Sequence, residues 1–238
     1  DLNALKAYSL GEGAYNHADL KSAEAYFNEA LRIDPHFALA RIELAKILSG
    51  NDQPAKALEQ IHAAQADRSR LSPRDALYAD AFAASFVEPG KSLDKWKLLA
   101  TVYPDYFSGP SDYAYALDNY ANRYEEAISY LKQSLSNKNP HRVMSSYLLG
   151  VVHLEAGKYK DAEQAFSTSI HEGSHFQNTF YASVYAAQRK FKEALALLAK
   201  GRASGYGSYD IINSAFPIAM AVDQGDWLRA GKLLSATR

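Results

Sequence analysis

The stretch Ser146–Phe166, SYLLGVVHLEAGKYKDAEQAF, organises the whole chain. Its first half places Leu149, Gly150 and His153 three and four residues apart, on one face of a helix. Its second half does the same with Ala162 and Phe166. Outward from Ala162, an alanine in the same setting recurs at Ala23, Ala57, Ala127, Ala194 and Ala230. The steps along the series are 34, 70, 35, 32 and 36 residues, the second being two periods. A period near 34 denotes one supersecondary unit copied in tandem. The first copy reads Ala7, Leu10, Gly11 and Ala14, then Ala23, Phe27 and Ala30, and closes at Pro35.

Each copy holds two helices, and the repeats run 3–36, 37–70, 71–106, 107–140, 141–174, 175–207 and 208–238 as one array. Small residues on first helices (Gly11, Ala45, Gly150, Ala182) are expected to face the alanines on second helices, so that the paired helices approach closely. Phe27 and Phe166 then fill the space between neighbouring repeats. The third repeat departs from the pattern. Ser72-Pro73-Arg74-Asp75 opens its first helix, with Ser as N-cap and Pro at N1. That helix is expected to stop at Pro89-Gly90, and Trp96 occupies the small position of the second. The fourth repeat has a weak first helix between Pro110 and Tyr120. Pro217 is expected to kink or break the first helix of the seventh.

This pattern resembles the tetratricopeptide repeat, a helix–turn–helix of about 34 residues. The resemblance implies an all-α, right-handed superhelical solenoid of about seven repeats that binds proteins and performs no catalysis. It also implies that first helices line a ligand groove. Carried onto this chain, groove positions include Tyr8, Glu12, Tyr15, Asn16, Lys46, Asn119, Tyr120, Tyr147, Leu154 and Phe176. Seventeen tyrosines suit such a surface, since each joins an apolar face to a polar tip; the plainer alternative is that they pack on the next repeat. The basic clamp by which chaperone-binding relatives hold a C-terminal carboxylate is missing. Tyr8, Glu12, Leu39 and Glu43 stand in its place. The opening Leu2–Gly11 and the run Asp34–Ala40 also resemble repeat regions of bacterial signalling proteins: nucleotide cyclases, Ser/Thr kinases and winged-helix regulators.

Composition narrows the alternatives. Hydrophobic residues make up 47% and charged residues 22% of 238, and the net charge is −1. That balance creates no global field for nucleic acid or an anionic membrane. No segment is long and apolar enough to span a bilayer. Without cysteine there is no disulfide or thiolate chemistry, which fits either the cytoplasm or the periplasm. The start at Asp1 reads as an excised or processed chain. No nucleophile elbow, phosphate-binding glycine loop or paired acid motif is present, and no cofactor is expected. His171-Glu172-Gly173-Ser174-His175 spells the zinc-protease pattern H-E-x-x-H. That chemistry needs both imidazoles on one continuous helix, whereas the pattern falls where a second helix should end, so a loop is expected and no metal. The expected partner is a protein or peptide; a second copy of the chain, joined through the C-terminal repeat, is the rival.

Overall fold

The computed structural model describes residues 1–16, 19–136, 138–172, 178–203 and 210–235. Among them lie fourteen α-helices, a single 3-10 turn at Arg68–Arg70 and no strand. The chain divides into two compact units, Asp1–Arg142 and Val143–Arg238.

The N-terminal unit contains four helix pairs: α1 (Leu2–Asn16) with α2 (Leu20–Ile33), α3 (Ala38–Gly50) with α4 (Pro54–Ala66), α5 (Pro73–Val87) with α6 (Pro89–Val102), and α7 (Ser108–Ala121) with α8 (Tyr124–Gln133). Each helix packs on its hairpin partner, and α2, α4 and α6 also pack on the first helix of the following pair. The C-terminal unit has three pairs: α9 (Arg142–Glu155) with α10 (Tyr159–His171), α11 (Asn178–Ala187) with α12 (Phe191–Ala203), and α13 (Asp210–Asp223) with α14 (Trp227–Ser235). The fold is therefore all-α, built of tandem tetratricopeptide-type hairpins.

The repeat alanines sit in the tightest places. Ala23, Ala57, Ala127, Ala162 and Ala194 have no exposed surface, and Ala230 is buried. Phe27 and Phe166 are buried completely, as their spacing predicts. The glycines on first helices have a different neighbour from the one expected. A Cβ on Gly11 would lie 2.5 Å from Cε1 of Phe27, and one on Gly150 would lie 2.7 Å from Cδ1 of Phe166. These glycines make room for the aromatic ring of their own hairpin, not for the repeat alanine alone.

The turns carry a second period. Asp52, Asn122, Gly157, Arg189 and Gly225 all have left-handed backbone, with φ between 52° and 74°. Each stands five residues before a repeat alanine. The next residue donates its N–H back to the end of the first helix: Lys158 to His153 O, Lys190 to Tyr185 O, and Asp226 to Ala221 O. This closure caps orphaned carbonyls and reverses the chain in two or three residues. The third repeat lacks it. There Glu88 alone joins α5 to α6, and Pro89 opens α6. The first helix thus stops immediately before Pro89-Gly90, and Pro89 itself opens α6, because a proline at N1 needs no N–H partner. Ser72 caps α5 as expected: its Oγ accepts from Asp75 N at 3.2 Å and donates to the Asp75 carboxylate at 2.6 Å. Trp96 is accommodated by chemistry as well as space. Its Nε1 donates to Ser85 Oγ at 2.9 Å and its ring meets Tyr78 edge-on at 5.1 Å. The first helix of repeat four is well formed, since Pro110 falls in the first turn of α7. Helix α13 runs continuously through Pro217.

Candidate functional site

First helices α1, α3, α5 and α7 direct polar and aromatic side chains to one inner face of the N-terminal unit. On α1 the spacing of Tyr8, Glu12 and Tyr15 makes a single stripe. From α3 come Glu43 and Lys46, joined at 2.7 Å. Tyr78 of α5 lies beneath Lys46, whose Nζ stands 4.7 Å from the ring centre. Asp112 of α7 and Tyr106, from the α6–α7 loop, complete the wall. The curvature within this unit is strong enough to bring His141, just before α9, to Tyr15 of the first helix. Their rings meet edge-on at 6.0 Å.

Lys46 keeps 16% of its side-chain surface accessible, and Glu43 keeps 11%. Asp112 is likewise half-buried, and burial is the largest influence on the charge of both Lys46 and Asp112. Residual accessibility with such burial is the mark of a concave wall: a flat surface gives more water contact and a core gives none.

The electrostatics follow from crowding charges in that hollow. Burial pushes the Glu12 carboxyl up to about 7; the neighbouring Glu43 adds to the rise and Lys46 opposes it. Burial likewise pushes Asp112 up to about 6, against the pull of Lys46 and the nearby Tyr78 hydroxyl. Burial also raises Tyr8 and Tyr78, and Tyr15 to about 12, so all three remain phenols. It lowers His141, with Lys46 adding to the effect. For Lys46 burial works against the charge, but the Glu43 carboxylate at 2.7 Å favours it and the ammonium is held firmly. One oxygen has no counterpart: Glu12 Oε1 is buried and accepts no hydrogen bond.

Of the groove positions drawn from the repeat pattern, Tyr8, Glu12, Tyr15 and Lys46 come together here. Tyr8 also packs on Phe27 and Phe37, with ring centres 5.7 and 5.1 Å away. Asn16 and Asn119 are exposed, and Asn119 spends its amide on Tyr115 O at 3.0 Å. Tyr120 is also exposed, at the end of α7. In the C-terminal unit, Tyr147 and Leu154 pack on a core of Ala162, Phe166 and Val184. Phe176 lies outside the described residues. The pattern missed Glu43 as a site residue, together with Tyr78, Tyr106, Asp112 and His141. Tyr78 belongs to the divergent third repeat, and Tyr106 and His141 lie between helices, so a fixed position within each repeat does not find them.

For the H-E-x-x-H letters, α10 ends at His171 and Glu172 is its C-cap. Residues 173–175 lie outside the described ones. Among the described residues no cluster of potential metal ligands is present, and no helix is long and apolar enough to cross a membrane. On α14, Trp227, Leu228 and Leu234 are exposed by 69%, 73% and 53%.

Comparison with known proteins places residues 120–175 in the tetratricopeptide repeat model. Curated protein sequences return no match. Among solved structures, a tetratricopeptide repeat protein from Parabacteroides merdae is 16% identical with a TM-score of 0.58, covering 99% of this chain and 92% of that one. PilW, a type IV pilus biogenesis factor, is 16% identical with a TM-score of 0.51 and the same two coverages. A chain of the APC/C hetero-tetramer Cut9–Hcn1 is 16% identical with a TM-score of 0.57, covering 98% of this chain and 42% of that one. At these identities the likeness concerns the fold.

Proposed function

We propose that this chain, a stack of tetratricopeptide repeats, is a non-catalytic scaffold that holds a peptide segment of a partner protein on the inner face of its N-terminal unit. The observation that supports the reading is the convergence of the half-buried Tyr8, Glu12, Tyr15 and Lys46, from two first helices, over the buried Tyr78 of a third. Side chains that serve only packing pair off their polar atoms; here a carboxylate oxygen is left over. Tyrosines supply contact area with little rotamer entropy to lose, and the charged groups supply orientation. The resemblance of the opening segment to signalling proteins suggests the setting: an interaction or sensor region that reports on a partner.

The test is selection of peptides from a random display library on the full chain, followed by calorimetric titration of the selected peptides. Binding should weaken in Tyr15→Ala and Lys46→Ala while the helical content holds. Selected peptides whose affinity is indifferent to both substitutions, or a selection that yields no binder, would remove the inner face from the function.

A second reading rests on α14. Trp227 and Leu234 are seven residues apart, on one helix face, and both stand in solvent. Large exposed apolar side chains on one face mark an association surface. This favours self-association through the last repeat. Light scattering should then give a mass that rises with concentration and reverts to the monomer value in Trp227→Glu/Leu234→Glu; a constant monomer mass excludes it.

A further inference from the structure

The inner face has a definite polarity. Glu12 and Asp112 each lie close enough to feel the Glu43 carboxylate and the one ammonium beside it, that of Lys46, which Glu43 holds at 2.7 Å. His141 is held towards its neutral form and offsets none of this charge. Lys46 is already engaged, by the Glu43 carboxylate at 2.7 Å and by the face of Tyr78. The guanidinium that stacks on Tyr106, that of Arg74, is also engaged: it lies 4.3 Å from the ring centre and pairs with Asp75 at 2.8 Å. Both cations have their partners, while Glu12 Oε1 is buried and accepts from nothing.

A buried acceptor without a donor is costly, and a carboxylate more so than a neutral group. In the free protein part of that cost is met by protonation of Glu12, and the carboxylate form is favoured when something donates to that oxygen. A ligand carboxylate would repel all three acids and find Lys46 neutralised. A neutral hydroxyl would satisfy the oxygen and leave the acids' mutual repulsion in place. A cation does both, and Tyr8 and Tyr15 stand four and three residues from Glu12 on its own helix stripe, close enough to add aromatic contact to one.

We propose that the inner face of the N-terminal unit is a receptor for a cationic group, the ammonium or guanidinium of a Lys or Arg side chain on the partner peptide, held at Glu12 beside Tyr8 and Tyr15. The inference rests on the peptide-binding reading and supplies its specificity. Glu12 holds the ligand's charge; Glu43 belongs chiefly to Lys46 and sets that ammonium's position; the tyrosines add aromatic contact. A peptide rich in acidic residues is excluded by the same arrangement, so the face discriminates by repulsion as well as by attraction.

The experiment titrates the full chain with three probes of one length: tetralysine, tetra-alanine and tetraglutamate, by calorimetry in moderate salt. Tetralysine should bind and the other two should not. Glu12→Gln keeps the shape and removes the charge, and should weaken tetralysine by about tenfold or more. Its melting temperature should hold or rise, because an uncompensated buried charge is gone. Glu59→Gln, an exposed acid on α4, is the control and should leave tetralysine binding unchanged. Equal binding of tetralysine and tetraglutamate, no binding of tetralysine, or equal losses from Glu12→Gln and Glu59→Gln would each overturn the proposal. If display-selected peptides bind the inner face without basic residues, the cation inference falls while the scaffold reading stands; if no selected peptide binds there, both fall.

Discussion

Substitution of Gly11 by alanine sets two opposed effects of known size against each other. Alanine is the better helix former by about 1 kcal/mol, and α1 is otherwise unbroken from Leu2 to Asn16. Against this, the new Cβ would stand 2.5, 2.7 and 3.0 Å from Cε1, Cδ1 and Cζ of Phe27. Carbon atoms in contact prefer about 3.5–4.0 Å, so the ring or the helix must retreat by about 1 Å. Phe27 has no exposed surface and its ring abuts Tyr8, so retreat means moving part of the α1–α2 interface. Overpacking of this kind costs about 1–3 kcal/mol. The sum is a net loss of about 1 kcal/mol, midway between about 0 and about 2, and a melting temperature lower by about 2–4 °C for a chain of this size. Gly13 on the same helix is the internal control: a Cβ there meets nothing within 4 Å, so Gly13→Ala collects only the propensity gain. Thermal melts followed by circular dichroism should therefore move in opposite directions for the two variants. Phe27→Leu, by shortening the side chain, should lessen the penalty of Gly11→Ala in the double variant. A Gly11→Ala protein that melts at or above the wild-type temperature would refute the reasoning and show that the hairpin opens easily.

Two further outcomes are expected. Glu12 titrates near 7 in the folded chain and Asp112 near 6, both above their ordinary carboxyl values of 4.5 and 3.8. The folded state therefore holds these protons more tightly than the unfolded state, and their contribution to stability falls as pH rises from about 4 to about 7, then levels off. Urea titrations at pH 5 and pH 8 should show Glu12→Gln gaining on wild type by about 1–2 kcal/mol at the higher pH, after allowance for solvent screening; an equal difference at both values would contradict the assignment. Trp96→Phe removes the indole donor from Ser85 Oγ and leaves space beside Tyr78, and should lower stability by about 1–3 kcal/mol in the same assay. A loss below about 0.5 kcal/mol would mean that the third repeat does not depend on this contact.

The sequence by itself determined the repeat, because the alanine and the aromatic four residues later are local demands of one hairpin. Ala162 and Phe166 must share a helix face wherever the hairpin sits, and the same holds for Ala23 and Phe27. The left-handed turn residues were also open to reading, five positions before repeat alanines: Gly157 and Gly225 suit the conformation best by residue type, and Asn122 and Asp52 come next. Arg189 adopts it under the constraint of the closing hydrogen bonds, which composition does not reveal. The inner face was legible only in part. Tyr8, Glu12, Tyr15 and Lys46 follow from their places on first helices. What brings Tyr78, Tyr106, Asp112 and His141 to them is the curvature of four stacked pairs, which sets Tyr15 beside a residue 126 positions later. Curvature sums small rotations set by the side-chain volumes at every interface between pairs. That sum is a property of the packed unit, and so is the carboxylate oxygen of Glu12 left without a donor.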